Sequence, residues 1–332
     1  MFIRMLLHQH LKRKIDMNDN AQMIIVLCSH LCADGCRPLE PSEWTRLADT
    51  MIAQKLQPRD IPDFSDEDMK RYFGYGEAET ERIKRLLDRS GSLSFELERL
   101  SLMGIKVVTR ADAGYPRALK ARLKGGCPPL FYYAGDLSLL DRGMVGFVGS
   151  RTVGDEDVSF AESIVRKVNS NGFGVVSGGA KGIDSVSSSA SLSNGSFAVE
   201  YISDSFTRKI KKKEAVAAVQ NGKLLIMSMA KPDAGFNAGI AMQRNKYIYA
   251  QSEATVVVKS DYNKGGTWGG ATEALKREYC PVLCRDNRRY PGNTGLIEKG
   301  AIPIDDSWDG NVGNIRNLLD NTGEQITLFN EQ

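Results

Sequence analysis

From residue 144 onward, short apolar runs alternate with segments of helical periodicity. The apolar runs fall at 145–148, 173–176, 197–202, 223–228, 254–258 and 281–284. Apolar residues recur at helical spacing between them, near 155–170, 183–193, 206–221, 236–251 and 269–278. Runs of about four to eight apolar residues suit strands buried on both faces. A strand–helix alternation this long predicts an α/β fold with a doubly wound, mostly parallel sheet. The first hundred residues read differently. Helical periodicity covers 22–31, 43–56, 77–88 and 94–103, and Ser65 stands as an N-cap before Asp66, Glu67 and Asp68. Further strand candidates at 105–108 and 127–133 lead towards the sheet. The expected organisation is a flexible extension at 1–20, an N-terminal helical domain at 21–103, a sheet domain at 104–309, and a C-terminal helix and tail at 310–332.

The ends of the strands carry the candidate chemistry. The run at 145–148 ends in Gly149-Ser150-Arg151, and the run at 173–176 ends in Ser177-Gly178-Gly179-Ala180-Lys181-Gly182-Ile183-Asp184. Open α/β sheets bind ligands at the carboxyl ends of their strands, where glycine turns and helix N-termini offer N–H donors to anions. Each turn also supplies a cation, Arg151 or Lys181. A third loop leads to Arg244-Asn245-Lys246, and a fourth, Lys264 to Gly270, precedes a helix that carries Glu273. Together they predict a phosphate-binding rim built from Gly149, Ser150, Arg151, Ser177, Gly178, Gly179, Lys181, Arg244, Asn245 and Lys246. A catalytic set is not expected. The histidines are His8, His10 and His30, all before the sheet, so a Ser–His pair within it is excluded. Asp184 has a commoner role open to it, capping its own helix.

Composition changes this picture little. The chain has 332 residues, 42% hydrophobic and 26% charged, as in ordinary soluble proteins. A net charge of +3 is nearly silent about partners. Arg208-Lys209-Ile210-Lys211-Lys212-Lys213 is a local exception, open to two readings: a solvated helix face or a site for an anionic partner. No stretch approaches the ~20 apolar residues of a membrane span, and the apolar run in 1–14 is too short for a secretory signal. A cytoplasmic protein with reduced thiols and no membrane association is expected. Cys28, Cys32 and Cys36, with His30 between them, would share one helix face. Without any CxxC pair, buried inert thiols, no metal and no cofactor are the expectation.

Specific motifs narrow the reading. GFVGSR, VVSGGAKGID, QRNKYIYAQSEATVVVKS, KGGTWGGATEAL and GNTGLIEKGAIPI follow one another, after GIKVVTRADAGYPRAL and PPLFYYAGDL. This series, across residues 100–305, resembles the DNA-processing protein A (DprA/Smf) family. The resemblance implies a Rossmann-like domain that binds single-stranded DNA, commonly forms a homodimer, and helps load a RecA-type recombinase during natural transformation. It implies no enzymatic activity. Arg151 matches a DNA-phosphate contact of the family, Lys181 a basic residue of the second glycine loop, and Arg244-Asn245 an Arg-Asn pair, with Lys246 where a second arginine is usual. The chain also departs from the pattern. SDSFTRKIKKKE replaces a Tyr-Pro turn, which leaves Phe206, with Trp268, as a candidate base-stacking residue. GGTWGG replaces an SGSL-type loop, and no winged-helix segment is expected after the sheet.

Three further resemblances are weaker. GGTWGGATE is similar to the Gly-Gly-x-Gly-Thr loop of nucleotide-ligand sensors and cytokinin-activating phosphoribohydrolases of the same superfamily, with Glu273 displaced by one position. That alternative puts a nucleoside phosphate in the rim and Glu273 on the ribose. GYGEAETERIKRLL is similar to a helix–hairpin–helix, although a plain structural helical domain is the simpler expectation. Gln325-Ile326-Thr327-Leu328-Phe329 resembles the peptide that docks on bacterial sliding clamps, with Gln325, Leu328 and Phe329 as contacts. Its alternation equally permits a last strand.

Overall fold

The computed structural model describes residues 18–32 and 34–315. The extension before residue 18 and the tail with Gln325, Leu328 and Phe329 lie outside the described residues. No described helix is long and apolar enough to cross a membrane. The chain is an α/β protein that divides into two units. One ends at Ala134 and takes in Ser228–Ala234; the other comprises Gly135–Met227 and continues from Gly235.

The first unit is built on α1 (Asp19–Cys28), whose residues from Ala21 to Cys28 are all buried. Asn18 caps it by accepting the Ala21 N–H at 2.8 Å. Helix α2 (Pro41–Ala53) buries Trp44, Leu47 and Met51, one stripe of an amphipathic helix. Helix α3 (Asp66–Phe73) starts at Ser65, whose hydroxyl accepts the Asp68 N–H at 3.2 Å, as the sequence predicts. Helix α4 (Glu77–Asp88) has the expected bounds, and α5 (Ser90–Leu102) starts four residues earlier than expected. Between them the buried Arg89 donates to the Val26 carbonyl at 2.9 Å and the Ser29 carbonyl at 2.9 Å. A cation there satisfies carbonyls that the end of α1 leaves open. Because α1 ends at Cys28, Cys32 and Cys36 do not share its face, which corrects the expected alignment. All six cysteines are thiols, and no group of potential metal ligands occurs among the described residues.

Strands β1 (Lys106–Thr109) and β2 (Leu130–Ala134) pair antiparallel, with Lys106 opposite Tyr133. Helix α6 (Arg117–Leu123), which the periodicity does not predict, joins them. Both strands pack on α1. By compactness, residues 104–134 group with the helices, and the two units divide after Ala134.

The second unit contains β3 (Met144–Val148), α7 (Asp155–Ser170), β4 (Gly174–Ser177), α8 (Ile183–Ser193), β5 (Ala198–Tyr201), α9 (Phe206–Lys209), α10 (Lys213–Gln220) and β6 (Leu224–Ser228). It continues with α11 (Ala238–Gln251), β7 (Ala254–Val257), α12 (Gly265–Arg277), β8 (Val282–Arg285), α13 (Pro291–Glu298) and β9 (Ile302–Ile304). The strands run β6-β5-β4-β3-β7-β8-β9, and all neighbours in this run are parallel. Every residue of β3, β4, β5, β6, β7 and β8 is buried, which is why these strands read as predominantly apolar runs, with Glu200 and Arg285 as buried exceptions. Phe147, Val256 and Leu283 of the sheet pack with Phe160, Ile164 and Val168 of α7 and with Trp308. The single helix expected at 206–221 is two helices, broken between Lys209 and Lys213. The chain winds from β3 out to β6, then returns to the other side of β3 at β7. The connections after β3 and β7 thus diverge, and a crevice opens at their carboxyl ends.

Candidate nucleic-acid interface

That crevice is a cleft of about 630 Å³ lined by the ends of β3, β4 and β7 and by the start of α11. Gly149 brings β3 close to α8: a Cβ there would fall 2.5 Å from Ile183 Cγ1. The Ser150 N–H donates to the Lys259 carbonyl at 3.0 Å, and its hydroxyl accepts the Thr152 N–H at 3.1 Å. Ser150 therefore shapes the turn from which Arg151 projects. Arg151 is exposed and lies 5.2 Å from the centre of the Phe236 ring, itself 60% exposed. Lys181 is exposed on the second glycine loop. Neither cation forms an ion pair among the described residues.

The second loop is closed from inside. Asp184, at the first turn of α8, lies against the backbone of Gly178 and pairs with Arg244 at 3.5 Å. A Cβ at Gly178 would fall 1.5 Å from Arg244 Nη1 and 2.4 Å from Asp184 Oδ2. Burial raises the Asp184 carboxyl above its ordinary range, and the Arg244 charge opposes that rise. Burial likewise lowers the Arg244 guanidinium. These contacts show that part of the expected rim is engaged from inside. Arg244 is 5% exposed and spends its charge on Asp184. Gly178 packs against the same carboxylate. Ser177 is fully buried, its hydroxyl 2.8 Å from that of Ser188. Gly179, at φ +62°, makes the turn.

In the third and fourth loops, Asn245 lines the cleft and also serves the fold. Asn245 donates to the Gly266 carbonyl at 3.0 Å and pins α11 to the start of α12. Lys246 Nζ lies 5.6 Å from the Tyr247 ring and does not line the cleft. Helix α12 begins at Gly265, so most of the expected glycine loop is helical. A Cβ at Gly270 would meet Tyr249 at 3.1 Å, and one at Gly266 would meet Asn245 at 2.9 Å. These two glycines let α11 and α12 pack closely. Glu273 lies two turns into α12, outside the cleft lining, and accepts from the Tyr279 hydroxyl at 3.3 Å. Trp268 is 7% exposed and packs on Tyr262, and Phe206 is 1% exposed. Neither offers a face for a base.

Sequence reasoning missed the apolar groups that do line the opening, Phe236 and Met242, which are 60% and 63% exposed. One signal was present: Phe236 is a lone aromatic between Gly235 and the helix-capping Asn237. On the far wall, Lys259 is neutralised by Asp157 at 3.1 Å. Asp157 also accepts from Arg285, Gly154 N–H and the Tyr290 hydroxyl. Its burial raises the carboxyl, but these partners outweigh burial and hold it below its ordinary range.

An open parallel sheet with a cation-edged crevice at its switch point defines a ligand-binding α/β protein of Rossmann type. The model of the family described as DNA recombination-mediator protein A matches residues 106–309, and the chain belongs to that family. No curated protein sequence matches the chain. DNA processing protein A from Streptococcus pneumoniae superposes with a TM-score of 0.67 at 19% identity, over 86% of this chain and 94% of that one. DNA processing protein A from Helicobacter pylori, described for its single-stranded DNA binding mode, gives a TM-score of 0.50 at 24% identity, over 66% of this chain and 96% of that one. At these identities the likeness is one of fold.

Proposed function

We propose that the chain binds single-stranded DNA across the switch-point cleft and acts as a recombination mediator without breaking a bond. The observation that carries this reading is the pair of exposed, unneutralised cations, Arg151 and Lys181, beside the exposed Phe236. Cations hold phosphates without regard to sequence. An exposed aromatic adds a stacking platform, worth about 1–3 kcal/mol per base. Support also comes from family membership and from the Helicobacter pylori relative, which is described as binding single-stranded DNA. A homodimer, the loading of a RecA-type recombinase, and clamp docking through Gln325, Leu328 and Phe329 belong to the same reading by resemblance. Strand binding at the rim requires none of them.

The phosphoribohydrolase alternative loses its main support because Glu273 is remote from the cleft. The deciding measurement is fluorescence anisotropy with oligonucleotides against mononucleotides, together with an assay for base release. Tight binding of oligonucleotides of any sequence, weakening steeply with salt, is expected. Preference for mononucleotides, or release of free base, would overturn the proposal.

A further inference from the structure

The basic run at 208–213 plays no part in the rim, yet it is held too firmly for a solvated helix face. Phe206 anchors it at 1% exposure. Lys209 anchors it a second time, with Nζ 2.6 Å from Oε2 of Glu200, whose side chain is 4% exposed. Ser205, at φ 54°, sets the entry in a left-handed conformation that non-glycine residues rarely adopt. Phe206 and Lys209 turn inward at a spacing of three, whereas Arg208 and Lys212, four apart, are exposed. Arg208 and Lys212 line a second basin of about 460 Å³, and Arg151 and Lys181 line it as well. The basin is thus continuous with the rim across the second glycine loop. Neither Arg208 nor Lys212 forms an ion pair among the described residues. The basin's one lining carboxylate, Asp204, accepts from the Ser203 hydroxyl at 3.1 Å.

We infer that a single strand leaving the rim at Arg151 and Lys181 continues over the second glycine loop, where Arg208 and Lys212 bind its next phosphates. The inference rests on the single-strand reading of the rim and lengthens the bound path. It assigns a ligand to the segment in which this chain departs from the Tyr-Pro turn of its family. Contacts to phosphate carry no sequence information, so the added path lengthens the footprint without adding base preference.

The test is anisotropy with a graded series of oligothymidylates and the full chain carrying Arg208→Ala and Lys212→Ala. The shortest oligonucleotide that the wild type binds should bind the variant equally. Longer ones should lose affinity roughly 25-fold at ~0.1 M salt, with a salt slope shallower by ~1.4, because two phosphate contacts vanish at ~0.7 each. Arg208→Lys should retain most of the affinity, and Arg208→Glu with Lys212→Glu should lose more than the alanine pair. A thermal melt, expected to be unchanged for these exposed positions, separates binding loss from unfolding. Wild-type binding of long oligonucleotides by the alanine pair, when Arg151→Ala with Lys181→Ala loses it, would overturn the extended path and leave the rim standing. Loss confined to duplex DNA would also overturn it. A wild-type chain that binds no oligonucleotide of any length would sink the rim reading and this inference together.

Discussion

The two glycine loops of the sheet share one grammar: an apolar strand, glycines, a cation, then a helix. They differ in what fills them. After β3 the turn is braced by Ser150 and leaves Arg151 in solvent above Phe236. After β4 the turn closes over the buried Asp184 carboxylate, whose charge is matched from inside by Arg244. The helix following each loop brings a buried carboxylate near its start, Asp157 or Asp184, and each is neutralised by the protein itself. A glycine-rich turn is therefore a ligand loop only where no internal anion occupies it. Here the first loop offers its cation freely, and the second contributes Lys181 while its backbone serves the fold.

The largest effect should come from the closed loop. Asp184→Ala leaves Arg244 buried without its partner and should cost about 3–5 kcal/mol of stability, read by chemical denaturation. A variant as stable as wild type would mean that the loop is free to take an outside anion. At the open loop the opposite split is expected. Arg151→Ala with Lys181→Ala should change stability by no more than ~0.5 kcal/mol. The same pair should weaken single-strand binding roughly 25-fold at ~0.1 M salt and flatten the salt slope by ~1.4. Stability loss without binding loss would reverse the roles of the two loops.

A smaller effect separates the exposed aromatic from the buried one. Phe236→Ala should reduce single-strand affinity roughly tenfold, within the stacking range of about 1–3 kcal/mol, with the melting temperature unchanged. Trp268→Ala should lower the melting temperature instead. The smallest effect is on pH dependence. The folded Asp157 carboxyl lies below its ordinary value of 3.8, so it contributes stability above that pH and loses it as pH falls through the folded value. Asp157→Asn should flatten the acid limb of the stability curve below about pH 4. An acid limb as steep as that of wild type would mean that the Lys259, Arg285 and Tyr290 contacts contribute nothing.

The sheet was legible because burial on both faces writes parallel strands as apolar runs, and helices 155–170 and 183–193 were bounded correctly by their caps and periodicity. The short β9, interrupted by Pro303, and α13, opened by Pro291, carry no comparable pattern. At the site, Arg151 and Lys181 were legible as cations beside glycines. Arg244 lines the cleft, but a sequence states a charge without its partner: Asp184 lies sixty positions earlier and meets it only in the fold. Trp268 and Phe206 were misassigned because exposure is a property of packing, and Phe236 was passed over for the same reason.

Local rules, which need only near neighbours along the chain, were enough for the strand–helix order, the Ser65 cap and the position of the cleft at the strand ends. Tertiary structure alone decided which glycines border the cleft and which let helices touch, which cations form no ion pair among the described residues, and that the strands at 106–109 and 130–134 join the helical unit. Each of those outcomes depends on which residues meet across long sequence separations, and burial and charge pairing exist only once they have met.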